Sequence, residues 1–446
     1  MSGSNRRLDW KDIFLCYPIF DNICAHLDPN DILFFRLTTK QLSSSFNSLF
    51  KTQWNINRQL TRFVKDPVGF RSKLAKHDAL ISGSFALQFF ERRFWLDSGL
   101  DIYVQDANDF RNPEQIGTYL VKHESYELQG SKTEANGGLI NHVGELKYMS
   151  KVFHIPNHSS YILTWIQVES YLRKSSTKEK PIQIRIIYTT GIPFQAILQG
   201  SHTSLVMNVI SWDFAYSLFP DMNFIKRIAY ETNGDSSSYL QANTDREVPE
   251  AKYRRRGWEW ERVAAIGDSK NLHSLNLAGR RKIDDSYTWT IKLDTNDVNG
   301  GQPSYVLQNS YFQVVGLSPP DAQYFVSMNI VRSCILRYEY PTTTRFYDPF
   351  SFWASVKQKL DDLTHSQLLK FPEDERPIPL RTSGPSGYKI EYNPRTIRRH
   401  VQELKGWIFY DDQIPIWYEE YLKDEEARLR AKEEMEQAEL ELHIVN

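Results

Sequence analysis

The hydrophobic and polar positions of this chain change their period along its length. From Trp10 to Trp54 the pattern is helical and comes in short segments. Ile19, Ile23 and Leu27 recur at one-turn spacing behind Pro18, which starts a helix at little cost because its missing N–H would have no partner there. Asp28-Pro29-Asn30-Asp31 reads as a turn and N-cap cluster, and Ile32, Leu33 and Leu37 make the next stripe. A serine-rich third helix is expected from Thr39 to Phe50, and residues 55–80 look helical again.

From Ala79 the pattern becomes mixed. A short apolar run at residues 79–81, a Gly83-Ser84 turn, an amphipathic helix from Phe85 to Arg93 and a strand from Leu100 to Val104 make one unit. Tyr161–Val168 and Ile182–Tyr188 read as strands joined by a charged hairpin loop around residues 174–180. Ser204–Leu218 fits a buried helix, with Leu205, Val209, Trp212 and Tyr216 on one side. Thr232–Glu247 is polar and reads as a long loop. Short β segments are expected at Tyr287–Leu293, Tyr305–Leu307, Tyr311–Val315 and Tyr324–Val331. Phe371–Gly387, with four prolines and two glycines, reads as a linker before a charged helix over Ile416–His443. The predicted class is α+β, in four parts: a short helical module (1–64), a mixed-sheet α/β domain (65–230), a β-containing extension (231–370), and a linker with a C-terminal helical region (371–446).

Composition narrows the function classes. The 446 residues carry 54 Lys+Arg against 55 Asp+Glu, a formal charge of −1, so bulk electrostatic binding of nucleic acid is not expected. A hydrophobic fraction of 41% with 24% charged residues is that of globular protein. Cys16, Cys24 and Cys334 are too few and too scattered for a disulfide framework or a zinc site. The longest stretch without Asp, Glu, Lys or Arg, Ile186–Trp212, is rich in polar residues and does not read as a membrane span. With no apolar segment behind Met1–Leu8, the chain is expected to be intracellular, in the cytoplasm or nucleus.

Residues 17–50 present more apolar surface than their own length can bury. The segment YPIFDNICAHLDPNDILFFRLTTKQLSSSF resembles the F-box, with Pro18, Ile19, Ile23, Leu27, Asp31, Leu33 and Leu37 on its pattern. Tyr17 stands where the motif opens with leucine, and Gln41-Leu42 where an Arg-Trp pair is common. The resemblance implies that these helices bind a Skp-type adaptor of a cullin–RING ubiquitin ligase, the rest of the chain recognising a protein substrate. Packing of the same helices onto the chain's own body is the competing reading.

The unit LISGSFALQFFERRFWLDSGLDIYV at residues 80–104 resembles the polymerase-β-like nucleotidyltransferases, whose motif is Gly-Ser followed by Asp-x-Asp on the next strand. With HTSLVMNVISWDFAYSLFP at 202–220 it is similar to a group of fungal proteins that carry this motif. Gly83, Ser84 and Asp101 match it, but Gly99 stands where the first carboxylate belongs. Two-metal phosphoryl transfer needs two carboxylates two residues apart and a third from a neighbouring strand. Asp97 is four residues away, about 13 Å along a strand. The strand expected to give the third carboxylate offers Gln183 and Arg185, leaving Glu169 as the one nearby substitute. The expectation is a vestigial site with no catalytic residue, metal or cofactor. The alternative is an active nucleotidyltransferase using Asp101 with an atypical helper carboxylate.

The run Lys252-Tyr253-Arg254-Arg255-Arg256-Gly257-Trp258-Glu259-Trp260 mixes basic and aromatic residues, as single-stranded nucleic acid prefers. Its flanking glutamates dilute the charge, so a solvated helix face with buried tryptophans is expected instead. The C-terminal helix holds ten acidic and four basic residues from Glu419 onward, without a heptad, and reads as solvated.

Overall fold

The computed structural model describes residues 16–38, 40–105, 115–135, 138–141, 151–153, 161–163, 165–174, 181–189, 191–232, 249–261, 279–316, 324–343, 351–376, 401 and 404–445. The fold is α+β. Contacts divide the chain into two compact units: residues 1–304 with 313–327, and residues 305–312 with 328–446.

The first unit opens with helices α1 (Tyr17–His26), α2 (Pro29–Leu37), α3 (Lys40–Thr52), α4 (Ile56–Leu60) and α5 (Pro67–Lys76). Their starts follow from capping. The Asp28 side chain accepts from the Asp31 N–H and Asp31 reaches back to the Asp28 N–H, a reciprocal box that starts α2. The Asn55 and Asp66 side chains cap α4 and α5 by accepting from the Arg58 and Gly69 N–H groups, without a reciprocal bond.

The chain then enters β1 (Leu80–Ser82), α6 (Gly83–Glu91), β2 (Leu100–Gln105), α7 (Ile116–Glu124), β3 (Glu127–Ala135), β4 (Gly138–Asn141), β5 (Trp165–Arg173) and β6 (Ile182–Thr189). After these come α8 (Pro193–Gly200), β7 (Asn208–Ile210), β8 (Phe214–Ser217), α9 (Pro249–Arg255) and β9 (Trp289–Lys292). Nine strands form one mixed sheet in the order β9-β8-β7-β1-β2-β6-β5-β3-β4. The β2–β6 pair is parallel; β1–β2 and β5–β6 are antiparallel. Residues 80–104 and 182–218 therefore belong to one sheet, as the apolar faces of the strand–helix–strand unit require.

The register fixes the faces. Ile81, Ile102 and Ile186 form one row of the sheet, and Ser82, Asp101 and Arg185 the next. Neighbouring rows point to opposite sides. Ile81, Ile102 and Ile186 join a continuous core that includes Phe20, Cys24, Ile32, Phe46 and Leu49 from the N-terminal helices.

Two expectations are corrected. Ser204–Leu218 is not a helix: a 3-10 turn at Ser204–Val206 leads into the β7–β8 hairpin. The Leu205, Val209, Trp212 and Tyr216 spacing matches a helical period. However, Ser211 and Asp213 close a tight turn in its middle, and β7 pairs with β1. A short apolar run carries no period strong enough to separate the two outcomes. Tyr305–Leu307 is likewise helical, within Ser304–Gln308. Apart from Thr232, the expected polar loop at 232–247 lies outside the described residues, as does the expected linker beyond residue 376.

In the second unit, α10 (Phe352–Leu368) and α11 (Ile414–Val445) pack through Phe352, Tyr418 and Tyr421. Buried Asp411 accepts hydrogen bonds from the Arg337 and Tyr338 N–H groups and from the Tyr340 hydroxyl. Beyond Tyr421, Leu422, Leu429 and Met435 of α11 are exposed. Among the described residues no helix is long and apolar enough to cross a membrane.

Candidate functional site

Gly83 is the first residue of α6 and has φ of +73°, a left-handed backbone that favours glycine. A Cβ there would lie 2.7 Å from the Asp101 Oδ2, so glycine also makes room for the carboxylate. The structure thus brings Gly83, Ser84 and Asp101 together at one end of the sheet.

Arg185 closes that end. Asp101 and Arg185 are directly opposed on parallel strands, so their side chains leave the sheet on the same side about 5 Å apart. The guanidinium forks onto the carboxylate, with Nε and Nη2 each donating at 2.6 Å. Asp101 is 7% exposed, and its negative charge raises the Arg185 pKa above the ordinary value despite burial. Both carboxylate oxygens are engaged where a nucleotidyltransferase would present them to metal.

The other carboxylates do not join Asp101 as a ligand set. Asp97 lies before β2 and pairs with Arg256 at 2.6 and 2.8 Å. Burial acts to raise its pKa, but Arg256 and Lys252 outweigh burial and hold the carboxyl below its usual value. Gly99 has its open side against β6: a Cβ would meet the Gln183 carbonyl oxygen at 3.0 Å. Glu169 pairs in register with Ile186, in the row next to Asp101, and so emerges on the opposite face of the sheet. There it accepts hydrogen bonds from the Tyr171 and Tyr188 hydroxyls, at 2.6 and 3.0 Å. Glu169 is therefore no substitute for the missing carboxylate. Among the described residues, no group of three or more His, Cys, Asp or Glu is arranged to hold a metal ion.

The basic–aromatic run has the expected exposed face at Arg254 and Arg255 and the expected buried Trp258, but Lys252, Tyr253 and Arg256 turn inward. Tyr253 and Trp258 are buried, while Lys252 reaches within 3.4 Å of Ser84 Oγ and Tyr253 OH within 3.1 Å of it. Arg256 lies over the Trp95 ring at 4.0 Å. Lys252, Tyr253 and Arg256 thus complete a site whose motif lies more than 150 residues earlier. Their residue types mark them as notable in the sequence, but nothing there indicates that α9 returns to α6.

The N-terminal helices have two faces. Phe20, Phe35 and Phe46 form an aromatic cluster toward the core, with centroids 5.2–6.1 Å apart. Leu27 packs against the same core, and Ile23 is half-buried. Arg92, at the end of α6, donates to the Cys24 carbonyl at 2.6 Å and also to the Leu27 carbonyl. It thereby adds a charged donor to the Cys24 carbonyl, which also accepts from the Leu27 N–H, and meets the Leu27 carbonyl at the end of α1. Its guanidinium lies over the Trp54 ring. On the outer face, Pro18 and Asp31 are exposed, and Ile19, Phe34 and Leu37 are 42%, 62% and 80% exposed. Phe34 was not among the motif positions. The Leu33 side chain lies outside the described residues. Compared with known proteins, the chain matches no family model, no curated protein and no solved structure.

Proposed function

We propose that this chain is a non-catalytic interaction protein: an F-box-like adaptor whose nucleotidyltransferase-like domain serves as a recognition scaffold for a protein substrate. The observation that carries this reading is the outward apolar set Pro18, Ile19, Phe34 and Leu37 on helices whose inner face is already packed and clamped. Large exposed apolar side chains on helices held rigidly to a body suit docking of a partner, because little ordering entropy remains to be lost on binding. The partner implied is a Skp-type adaptor, which buries such helices without needing a catalytic group.

The Asp101–Arg185 pair supports the non-catalytic half. A carboxylate already neutralised by a bidentate arginine is a poor ligand for magnesium, and Arg185 adds positive charge where two cations would have to sit. The purified chain is expected to bind a purified Skp-type adaptor. Ile19→Asp with Leu37→Asp should weaken that binding about a hundredfold, from about 1–2 kcal/mol per buried anchor. Undiminished binding by the folded double variant would refute the assignment. Transfer of labelled nucleotide from any of the four common triphosphates is expected to stay at background with magnesium or manganese. Gly99→Asp should not restore it, since the Gln183 carbonyl crowds the new side chain and Arg185 remains.

A further inference from the structure

The Asp101 end of the sheet holds three cations and two carboxylates, and they do not pair off evenly. Arg185 takes Asp101 and Arg256 takes Asp97. Lys252 has no carboxylate within ion-pair distance among the described residues. Its Nζ instead faces Ser84 Oγ at 3.4 Å and the Tyr253 ring at 5.7 Å. The Ser84 and Tyr253 hydroxyls lie 3.1 Å apart, which gives a short proton path beside the amine. Arg256 contributes a second unsatisfied feature: on a side chain only 8% exposed, its Nη1 has no hydrogen-bond partner.

We propose that Lys252 is a nucleophilic amine that forms a reversible imine with a small carbonyl compound bearing a carboxylate, the carboxylate being received by Arg256. The reading is independent of adaptor docking and of nucleotide transfer. The unprotonated Nζ attacks the carbonyl carbon and a C–N bond forms. The two protons of the attacking amine pass in turn through Ser84 and Tyr253 to the carbonyl oxygen. The resulting carbinolamine loses that oxygen as water to leave a C=N bond, and hydrolysis reverses the sequence. No electrons enter or leave.

The surroundings shift Lys252 toward its neutral form relative to an exposed lysine. Burial lowers the Lys252 pKa first, and the charges of Arg256 and Arg185 lower it further, against the opposing pull of Asp97 and Asp101. Burial, and next the Lys252 charge, lower the His202 pKa, so His202 is neutral near pH 7 and adds no positive charge to the site.

The test compares lysines within one molecule. The full chain is incubated at pH 7 with glyoxylate and cyanoborohydride, which fixes any imine as a carboxymethyl group, and each lysine is followed by peptide mass spectrometry. Lys252 is expected to react at least tenfold faster than the exposed Lys51, Lys122 and Lys370. With acetaldehyde, which has no carboxylate, that preference should fall severalfold. In Arg256→Gln it should fall for glyoxylate while the other lysines react as before. Reaction of Lys252 no faster than Lys51 in the unmodified chain would overturn the proposal without recourse to any variant. An equal preference with acetaldehyde would overturn the carboxylate specificity.

Discussion

At the Asp101 end of the sheet Asp101 and Asp97 meet arginines within the chain, whereas the outer face of α1 and α2 leaves apolar side chains in water. Both regions stand out in the sequence as motifs, and both fold as local units on the same core. They differ in what folding leaves unsatisfied. Asp101 gains two charge-assisted hydrogen bonds from Arg185, so the groups that would hold a metal are spent on structure. Ile19 and Leu37 gain no comparable cover, although Phe20, Cys24 and Ile32 beside them are almost fully enclosed. A motif points to chemistry only when its side chains remain available after packing. By that measure the helices are the open site and the sheet motif is closed, apart from Lys252.

The largest expected effect breaks the closed region. Arg185→Ala leaves Asp101 nearly buried without its partner, which should cost about 3 kcal/mol in denaturant unfolding. Replacing both, with Asp101→Asn and Arg185→Gln, should recover most of that loss, because no uncompensated charge remains. A small loss in the single variant would mean that water already screens the pair.

Next in size is the clamp that holds the open region in place. Arg92→Ala removes charged hydrogen bonds to the end of α1 and should cost about 2 kcal/mol. Most of that loss should appear as faster amide exchange across Tyr17–His26, with little change in β2 and β6. Burial lowers the Arg92 pKa to about 10, still well above neutrality, so the clamp stays charged at physiological pH.

A smaller effect follows from His202, whose pKa burial lowers from 6.5 to about 4. The unfolded chain then binds the proton more readily than the folded one. This contribution to stability is complete above about pH 6.5 and is lost as pH falls toward 4, with a slope of at most about 1.4 kcal/mol per pH unit. His202→Gln should flatten the dependence of the unfolding midpoint on pH in that window. An unchanged slope would place the acid sensitivity in other groups.

Strongly local features were legible in the sequence. Pro18 and the Asp28–Asp31 cluster set the starts of α1 and α2, and the strands at 100–105 and 182–189 followed from alternation of Leu, Ile and Val with polar residues. That Arg185 stands on the strand expected to face Asp101 came from the resemblance; its direct opposition to Asp101 is a matter of register, set by the β2–β6 pairing. Features that depend on tertiary pairing were not legible. The β7–β8 hairpin looked helical because its apolar spacing fits both periods, and only pairing with β1 decides between them. The face on which Glu169 emerges depends on register between strands, which a single sequence does not fix. The return of Lys252 and Arg256 to Ser84 and Asp97 is a long-range contact of the same kind.

The contrast between the two regions is tested most directly by amide exchange of the full chain with and without a purified Skp-type adaptor. The account predicts new protection confined to Tyr17–His26 and Pro29–Leu37, with exchange at Leu80–Gln105 unchanged. Protection centred on the Asp101 end of the sheet, or no protection in α1 and α2 at saturating adaptor, would contradict it.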